Sequence, residues 1–318
     1  MQHSNLTPTV SIALCTYNGA LHLREQLDSL FAQTFTNFEI VAQDDASTDS
    51  TADILREYSK RDARLRLNVN EKNLGVRRNF ESALKACQGD LIAPSDQDDI
   101  WLPGKLAALV SRIEGKALAY CDSELVDANG RLLGIRVSDK VNMLTTDDPT
   151  PFIFSNCVSG HALLVRREVV ERALPIPEVF MYDWWLAAVA ATRGGIQFED
   201  RCLVHYRQHE ATVTDFTGAR KRRRAPDRRL ARAAANRKIE ERLAALAALD
   251  GRHQAKLVHL LELWRARNEQ WFSIEFGEFV FRNRNLLYAI PKKSAWQVAI
   301  KAARKIIGRK LGMLFYGT

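Results

Sequence analysis

The feature that most constrains the fold is an alternation of strand and helix patterns through the first 120 residues. Residues 9–15 and 38–43 are short apolar runs that predict buried strands, and leucines at helical spacing predict a helix over residues 20–33. Further strands are predicted at residues 64–69, in a run ending at Pro94 and at 117–122, with helices at 50–60, 76–87 and 103–114. This order predicts an α/β fold whose mostly parallel sheet is covered by helices on both faces.

Polar clusters follow three of these strands at the point where each strand ends. They read TYNG at residues 16–19, DDAS at 44–47 and SDQDD at 95–99. In parallel α/β sheets, ligands bind beyond the carboxyl ends of the strands. The three clusters therefore predict a single ligand site at one edge of the sheet.

The third cluster concentrates three carboxylates, Asp96, Asp98 and Asp99, within four residues. Carboxylates at this spacing can converge on a hard divalent cation such as Mg²⁺ or Mn²⁺. Mg²⁺ is often held by one or two carboxylates together with substrate phosphates, so a diphosphate would complete such a site. An isolated group of this kind also fits a surface turn or a helix cap, and that alternative stays open at this point.

The next part of the chain predicts shorter elements. They are a hairpin turn at DANG (127–130), a strand then a helix over 160–174, a helix ending at glycines over 181–195, and two closing strands within 196–209. Ser47, Thr48 and Asp49 could cap the helix predicted at 50–60, and Pro103 suits the first turn of the helix predicted at 103–114.

The charge balance changes abruptly at residue 218. The net charge is +8, but from residue 218 onward 24 Lys and Arg face 8 Asp and Glu, whereas the preceding residues hold 22 basic and 30 acidic groups. This asymmetry predicts a division into residues 1–217 and a basic, mainly helical extension, 218–318. It also predicts an anionic surface as the partner of the extension.

Two apolar stripes at helical spacing lie within the extension. The first runs through Leu257, Leu260, Leu261, Trp264 and Trp271, and the second through Trp296, Ile300, Ala303, Ile307, Leu311 and Leu314. Basic residues surround the second stripe, which favours adsorption to an anionic membrane leaflet over nucleic-acid binding. Packing against the rest of the chain, or against another subunit in a homo-oligomer, is the alternative.

The spacing of the cysteines and the hydropathy of the chain indicate the cellular compartment. The five cysteines are widely spaced and form no CxxC pair, which indicates reduced, buried thiols and disfavours a zinc site. No apolar run reaches the length of a transmembrane helix, and the first residues do not have the pattern of a signal peptide. We therefore expect a cytoplasmic protein that is peripheral on the inner face of the cell membrane.

Five segments together carry a family resemblance: VSIALCTYNG, LHLREQLDSLFAQT, QDDASTDST, NLGVRRNF and SDQDDIWLPGK. They resemble the family-two inverting glycosyltransferases of GT-A fold, and are most similar to bacterial enzymes of the rhamnosyltransferase type. The resemblance spans roughly residues 9–215. It implies a metal-dependent hexosyltransferase that moves a sugar from a nucleoside diphosphate donor, dTDP-L-rhamnose or a UDP-sugar, to a hydroxyl of a glycan or lipid-linked glycan. The implied setting is cell-surface polysaccharide biosynthesis.

The resemblance also implies roles for the residues at the strand ends. Thr16, Tyr17 and Asn18 would lie at the nucleotide, with Asp44 or Asp45 accepting a hydrogen bond from the ring N–H of the base. The remaining implied contacts are Arg77 near the base or a phosphate, Asp96 at the ribose, Asp98 on a Mn²⁺ or Mg²⁺ ion, and Asp99 facing the sugar. Thr16 could instead cap the following helix, and Arg77 could be a solvated helix residue.

Downstream positions complete the implied site. Asp183, at the start of a helix, would be the general base, and a helix amino terminus favours its ionised form. Gly160 would lie in a small-residue turn near the acceptor. Trp184 and Trp185 would flank the acceptor sugar, although core packing suits one of the two tryptophans equally well. His209 would reach the metal or the diphosphate, whereas His161 is expected to be structural.

Two other functions remain open on the residues alone. A sugar-phosphate nucleotidyltransferase shares an α/β nucleotide fold, but it would want a glycine-rich loop after the first strand, and TYNGALHLRE has none. A non-catalytic protein that binds nucleotide sugars or nucleic acid would show binding without turnover and would tolerate loss of Asp183.

Overall fold

The computed structural model describes residues 10–209 and 228–303, with side chains from residue 233 onward in the second range. Strands and helices alternate through the first part as predicted. They are β1 (Val10–Thr16), α1 (Ala20–Phe31), β2 (Phe38–Asp44), α2 (Thr51–Arg61), β3 (Leu65–Val69), α3 (Val76–Ala86) and β4 (Leu91–Ser95). The predicted bounds of these elements are confirmed to within three residues at either end.

The second part of the α/β region contains shorter and less regular elements. They are β5 (Ile100–Trp101), α4 (Lys105–Arg112), β6 (Leu118–Val126), β7 (Leu132–Arg136), α5 (Val137–Lys140), β8 (Leu163–Arg166), α6 (Arg167–Ala173), α7 (Tyr182–Arg193) and β9 (Ile196–Arg207). Two 3₁₀ turns lie at Thr150–Ile153 and Gly160–Ala162.

Three details of the prediction are wrong. Helix α4 begins only at Lys105, after a turn, so Pro103 precedes the helix. The two closing strands are one strand, β9, whose pairing with β6 shifts register near Asp122. Helix α2 has Ser50 at its N-cap position without a side-chain cap, whereas Asp49 accepts a hydrogen bond from the Thr51 amide two residues on.

The central sheet has the strand order β3-β2-β1-β4-β8-β6-β9-β5, with β7 beside β6. The half β3-β2-β1-β4 is parallel throughout, as predicted. Beyond β4 the sheet is mixed, because β8 runs antiparallel to both neighbours while β6 and β9 are parallel. The register pairs Thr16 with Asp44 and Leu14 with Ser95, so the polar clusters meet at one edge.

Both faces of the parallel half are covered. All seven residues of β1 and of β2 are buried, which explains their near-continuous apolar runs. Leu23, Leu27 and Leu30 of α1 pack into the cluster on one face, while Phe80 and Leu84 of α3 pack into the cluster on the other. The core thus fixes the edge at which the loops after β1, β2 and β4 converge.

The extension is helical, as predicted. It contains α8 (Arg228–Ala247), α9 (Gln254–Glu269), α10 (Ile274–Arg282), α11 (Arg284–Leu287) and α12 (Ala295–Ala303). Leu243, Leu246 and Trp264 belong to the same hydrophobic cluster as Trp185 of α7, so the extension shares a core with the α/β region. The predicted boundary between residues 217 and 218 lies outside the described residues.

The residues of the two predicted apolar stripes differ in how far the structure buries them. Leu257, Leu260, Leu261 and Trp264 are buried along α9, but Trp271 lies past the helix end and is half exposed, so the prediction is wrong for that residue. In α12, Val298 and Ala302 are buried, whereas Trp296, on the predicted second stripe, is 74% exposed. The stripe positions Ile307, Leu311 and Leu314 lie outside the described residues.

The predicted burial of the cysteine thiols is confirmed for four of the five residues. All five cysteines are free, and four of them are buried, with Cys202 partly exposed. Within the two described ranges, no helix combines the length and the low charge that crossing a bilayer requires.

Candidate active site

Two adjoining cavities open at the carboxyl edge of the parallel strands. The first has a volume of about 410 Å³, and its lining includes Thr16, Tyr17, Asp45, Asp98 and His209. The second has a volume of about 460 Å³, and its lining includes Ser159, Gly160, Asp183 and Trp184. Val76, Asp96 and Tyr206 line both cavities, so Asp96 stands where the two meet.

The loops after β1 and β2 are tied together by side-chain hydrogen bonds. The Thr16 hydroxyl donates to Asp44 Oδ1 at 2.8 Å, and the Ser47 amide donates to Asp44 Oδ2 at 2.9 Å. Asn18 adopts a left-handed backbone conformation (φ 48°), which Asn tolerates, and its Oδ1 accepts a hydrogen bond from the Thr48 amide. Asp44 is therefore buried within the loop and lines neither cavity.

Asp45, rather than Asp44, faces the first cavity. Its Oδ1 accepts hydrogen bonds from Asn70 Nδ2 and the Leu74 amide, and its Oδ2 accepts one from the Gly75 amide at 2.9 Å. These bonds fix the loop that leads into α3. Tyr17 also lines this cavity and is 46% exposed.

Arg77 does not reach the first cavity, in contrast to its predicted contact with a nucleotide. Its guanidinium donates to the Ile176 carbonyl at 2.9 Å and lies near Glu81 and Glu178. Arg77 thus joins α3 to the segment before α7 and lines neither cavity.

The acid loop, residues 95–99, carries an excess of negative charge. Burial, followed by the charges of Asp98 and Asp183, raises the pKa of Asp96 to about 7. Burial likewise raises the pKa of Asp99 well above its usual range, and its Oδ1 accepts a hydrogen bond from the Arg207 amide. Asp99 faces inward rather than into either cavity, so the structure does not give it the sugar contact that the resemblance implied.

Two buried cations underlie the acid loop, and sequence reasoning missed both. Arg207, only 1% exposed, donates from Nε to the Asp98 carbonyl and ion-pairs with Glu25 at 2.6 Å. Lys105 Nζ donates to the His161 carbonyl at 2.6 Å and lies over the Trp101 ring. Both residues lie within segments considered for the site, but nothing in the sequence distinguishes a buried cation from a solvated one.

Two sets of side chains could hold a divalent cation. Asp98 Oδ2 lies 2.7 Å from His209 Nε2 at the first cavity. Asp96, Asp99 and His161 each offer a ligand atom, and these atoms lie within 4.8 Å of one another. In the second set Asp99 and His161 are buried; His161 Nε2 lies 2.9 Å from Ser123 Oγ, and Nδ1 lies 3.3 Å from Asp99 Oδ2.

The first set fits a cation that also binds phosphate. Its carboxylate oxygen and imidazole nitrogen suit Mn²⁺, and the adjoining cavity leaves room for phosphate oxygens. Asp99 Oδ2 has no hydrogen-bond partner among the described residues, and the nearby His161 Nδ1 lies 3.3 Å from it. His161 is structural, as predicted, and burial lowers its pKa to about 3.

Asp183 lies at the amino-terminal end of α7 and opens into the second cavity. Its Oδ1 accepts the Trp184 amide at 2.7 Å, and its Oδ2 lies 3.3 Å from Asn156 Nδ2. Burial raises its pKa to about 6 against the lowering effect of backbone hydrogen bonds. A carboxylate with such a pKa can accept a proton near neutral pH.

The two tryptophans after Asp183 have different surroundings. Trp184 lines the second cavity, and its indole N–H donates to the Phe152 carbonyl at 2.6 Å. Trp185 is buried, and its indole N–H donates to the Ala173 carbonyl at 2.8 Å. The prediction that Trp185 contacts an acceptor is therefore wrong, because its ring packs in the core.

Tyr182 is a site residue that sequence reasoning missed. Its ring stacks on Phe80 with the centroids 3.7 Å apart, and the interaction of its hydroxyl with Asp96 lowers the pKa of that carboxyl. A Cβ on Gly160 would lie 1.9 Å from that hydroxyl, so glycine is required for the close approach. Tyr182 stands directly before the predicted base, but its inward direction depends on the packing of α7.

Sequence comparison identifies related proteins. The family model "Glycosyl transferase family 2" matches residues 11–174, more than half of the chain. An uncharacterized glycosyltransferase of Haemophilus influenzae is 31% identical over 213 residues, and one of Nostoc is 27% identical over 213 residues. Each match covers 64% of this chain, but only 66% and 65% of the relative, so the chain spans slightly less than two thirds of their length.

Structural comparison finds the same fold in solved proteins. S. aureus TarS in complex with UDP-GlcNAc has a TM-score of 0.58 at 18% identity, covering 96% of this chain and 83% of that one. A mannosyltransferase from Pyrobaculum calidifontis in complex with GDP-Man and Mn²⁺ has a TM-score of 0.52 at 17% identity, covering 98% and 88%. These similarities confirm the predicted GT-A type fold.

Replacing Gly160 tests the junction of the two cavities. In Gly160→Ala the new methyl group must displace Tyr182, whose ring is confined by Phe80, so we expect a loss of about 1–3 kcal/mol in the free energy of unfolding. Urea denaturation measures this loss. Gly104→Ala is the matched control, since no atom lies within 4 Å of its Cβ, and it should cost less than about 0.5 kcal/mol. Equal stability of the two variants would contradict the packing.

Proposed function

Since this chain belongs to glycosyltransferase family 2, we propose that it transfers a sugar from a nucleoside diphosphate donor to a hydroxyl group of a glycan acceptor. The observation that carries the proposal is the pair of cavities that meet at Asp96. One combines an open, partly aromatic wall with the acid loop, and the other contains a carboxylate suited to accept a proton. A donor and an acceptor bound side by side would meet at that junction.

The donor occupies the first cavity in this proposal. Its base lies against Tyr17, beside Thr16. Asn18 does not line the cavity but ties the loop after β1 to Thr48. Asp45 accepts a hydrogen bond from the ring N–H of the base, and Asp96 lies at the ribose. TarS with UDP-GlcNAc and the Pyrobaculum enzyme with GDP-Man support a nucleotide sugar as the ligand class. Within that class we propose a UDP-sugar or dTDP-L-rhamnose, on the family resemblance of the sequence.

Asp98 and His209 would hold a Mn²⁺ or Mg²⁺ ion. Bound there, the ion would offset the negative charge that builds on the departing diphosphate. The Mn²⁺ in the Pyrobaculum complex supports this choice of cofactor. Arg207 Nε donates to the Asp98 carbonyl and so anchors the backbone that carries the Asp98 carboxylate.

Asp183 acts as the general base in the second cavity. The acceptor hydroxyl gives its proton to Asp183, and its oxygen bonds to the anomeric carbon from the face opposite the leaving group. The bond between the anomeric carbon and the diphosphate oxygen breaks, and the diphosphate leaves with the electron pair. A single displacement of this kind inverts the anomeric centre, and Trp184 offers an aromatic surface to the acceptor beside Gly160.

We further propose that the reaction builds a cell-surface polysaccharide at the inner face of the membrane, on a lipid-linked acceptor. The exposed apolar residues of the extension support this setting: Trp271, Phe272, Ile274, Phe281 and Trp296. Lys292 and Lys293 lie in the connection before α12 and are exposed. Aromatic side chains beside lysines suit an anionic lipid surface. A homo-oligomer remains a further proposal from the sequence.

A nucleotidyltransferase and a non-catalytic binding protein predict different behaviour. A nucleotidyltransferase would form a nucleotide sugar from a sugar phosphate, and a binding protein would turn over neither. Transfer that depends on Asp183 excludes both, since neither needs a base in the second cavity.

Removal of Asp98 tests the cation. In Asp98→Ala we expect UDP to bind at least tenfold more weakly in the presence of Mn²⁺, and Mn²⁺ to give no further gain, because the ion loses its carboxylate ligand. Titration calorimetry with and without Mn²⁺ measures both effects. Asp53→Ala, a change at a highly exposed aspartate on α2, is the control. Unchanged UDP affinity in Asp98→Ala would rule out the metal assignment.

The raised pKa of Asp183 predicts how the rate of sugar transfer depends on pH. Because its pKa is raised to about 6, transfer should fall about tenfold for each unit of pH below about 6, while UDP binding changes less. Asp183→Asn should retain UDP binding and lose transfer, which an assay of released nucleoside diphosphate with a nucleotide-sugar panel measures. A variant that still transfers sugar would show that another group is the base.

The raised pKa of Asp183 also predicts how the free energy of unfolding changes with pH. The folded chain binds the Asp183 proton more tightly than the unfolded chain, so ionisation of Asp183 costs stability as pH rises from about 4 through about 6. Asp183→Asn removes that cost. Thermal unfolding at two pH values measures the effect. The amount by which the midpoint temperature of Asp183→Asn exceeds that of the wild-type protein should be larger at neutral pH than at about pH 4.

The membrane proposal is tested by vesicle flotation. The protein should float with vesicles that contain phosphatidylglycerol and stay unbound with phosphatidylcholine alone. The double variant Trp271→Ala, Trp296→Ala should lose most of this binding, whereas Leu21→Ala, at an exposed apolar residue of α1, should not. If the double variant floats like the wild-type protein, the exposed tryptophans are not the contact.

A further inference from the structure

The second cavity is supported from behind by the helical extension. Trp184 and Phe154, two of its aromatic lining residues, each contact a residue from that part of the chain. Neither supporting residue lines the cavity itself. The surroundings of each contact show whether the extension only packs against the cavity or also fixes its shape.

The first contact places a cation on an indole ring. The guanidinium carbon of Arg242, in α8, lies 3.9 Å from the centroid of the Trp184 ring and 5.7 Å from that of Phe180. The Trp184 indole N–H is held by the Phe152 carbonyl, so the ring is fixed at its edge and on one face. An arginine over an aromatic face is attracted by the ring quadrupole, and the attraction is strongest where both groups are shielded from water.

The charge of Arg242 is not matched by an acid. No Asp or Glu of residues 10–209 or 233–303 forms an ion pair with it, whereas Arg237 on the same helix pairs with Glu241. Burial alone lowers the pKa of Arg242. A half-buried arginine without a carboxylate costs stability. Its contacts with the Trp184 and Phe180 rings offset that cost, together with a hydrogen bond from Nε to the Val179 carbonyl at 3.4 Å.

The second contact holds the opposite side of the cavity. Tyr288 stacks on Phe154 with the centroids 5.7 Å apart and the rings 15° from parallel, and Lys301 Nζ lies 4.5 Å from the Tyr288 ring centroid. Asn142 donates its side-chain amide to the Ala289 carbonyl at 2.8 Å and its backbone amide to the Ile290 carbonyl at 2.8 Å. The loops on both sides of the cavity are therefore attached to the extension.

We propose that Arg242 is a positioning residue for the acceptor. It holds the Trp184 ring as a fixed surface beside Asp183, so that an acceptor sugar stacked on the ring presents its hydroxyl to the carboxylate. The extension then forms part of the acceptor site. This inference rests on the proposed function, because it assigns the second cavity to a glycan acceptor.

The test compares three variants in the full-length protein. Arg242→Met removes the charge but keeps the length of the side chain, Arg242→Lys keeps the charge without the planar group, and Arg237→Met is the control on the exposed face of α8. A panel of nucleotide sugars and soluble glycosides serves as the probe. Hydrolysis of the donor by water and transfer to the best glycoside are measured separately.

The proposed role affects the acceptor and spares the donor. Arg242→Met should raise the KM for the glycoside about threefold to tenfold, the size expected for a partly desolvated cation–π contact, and leave the rate and KM of donor hydrolysis unchanged. The KM of Arg242→Lys for the glycoside should lie between that of Arg242→Met and that of the wild-type protein. The KM of Arg237→Met should equal that of the wild-type protein. If Arg242→Met does not fold, Arg242→Lys decides by the same comparison.

Other outcomes overturn the inference in distinguishable ways. An unchanged acceptor KM in a folded Arg242→Met protein excludes the positioning role. A fall in donor hydrolysis in step with transfer shows that Arg242 only supports the fold. If the wild-type protein neither hydrolyses nor transfers any sugar of the panel, the proposed function is wrong. Hydrogen exchange over residues 181–186 then still decides the contact, since unchanged exchange in Arg242→Met would exclude it.

Discussion

The structure depends on how three crowded carboxylates are held at the end of a buried strand. Asp96, Asp98 and Asp99 would repel one another in an unsupported loop. Arg207, almost fully buried, anchors the backbone at Asp98 and donates its own amide to Asp99, while Lys105 lies beneath the same loop. Burial is the main reason that the pKa values of Asp96 and Asp99 are raised, so the protein interior disfavours the ionised form of both carboxyls. Asp96 and Asp98 line the first cavity, where a bound cation would stabilise their ionised forms.

The position of Asp96 couples the two halves of the site. Tyr182, whose hydroxyl interacts with Asp96, directly precedes Asp183 in α7, so the carboxyls that line the two cavities are both linked to the start of one helix. Gly160 permits the close approach of the Tyr182 hydroxyl, and Phe80 confines the ring. A displacement of α7 would therefore move Asp183 and alter the junction of the two cavities together.

The helical extension has two faces with different surroundings. Its inner face joins the hydrophobic core through Leu243, Leu246 and Trp264, and it supports the second cavity through Arg242 and Tyr288. Its outer face leaves large apolar groups such as Trp296 in contact with solvent. An element that supports the acceptor cavity and also contacts a membrane would hold that cavity close to a lipid-linked acceptor, which connects the two proposals physically.

The sequence by itself determined the α/β order, the parallel half of the sheet and the edge where Tyr17, Asp45 and Asp98 meet, because hydrophobic periodicity and strand-end polarity are local properties. Asp183, which lines the second cavity, was predicted only from the family resemblance. It did not separate Asp44 from Asp45 or Trp184 from Trp185, since adjacent residues differ only in the direction that packing gives them. Arg77 was assigned to the nucleotide, but long-range contacts with Ile176 and Glu178 direct it elsewhere. Only the tertiary structure decided the roles of Arg207, Lys105, Tyr182 and Arg242. Each depends on burial against residues distant in the chain, and burial is a property of the packed molecule.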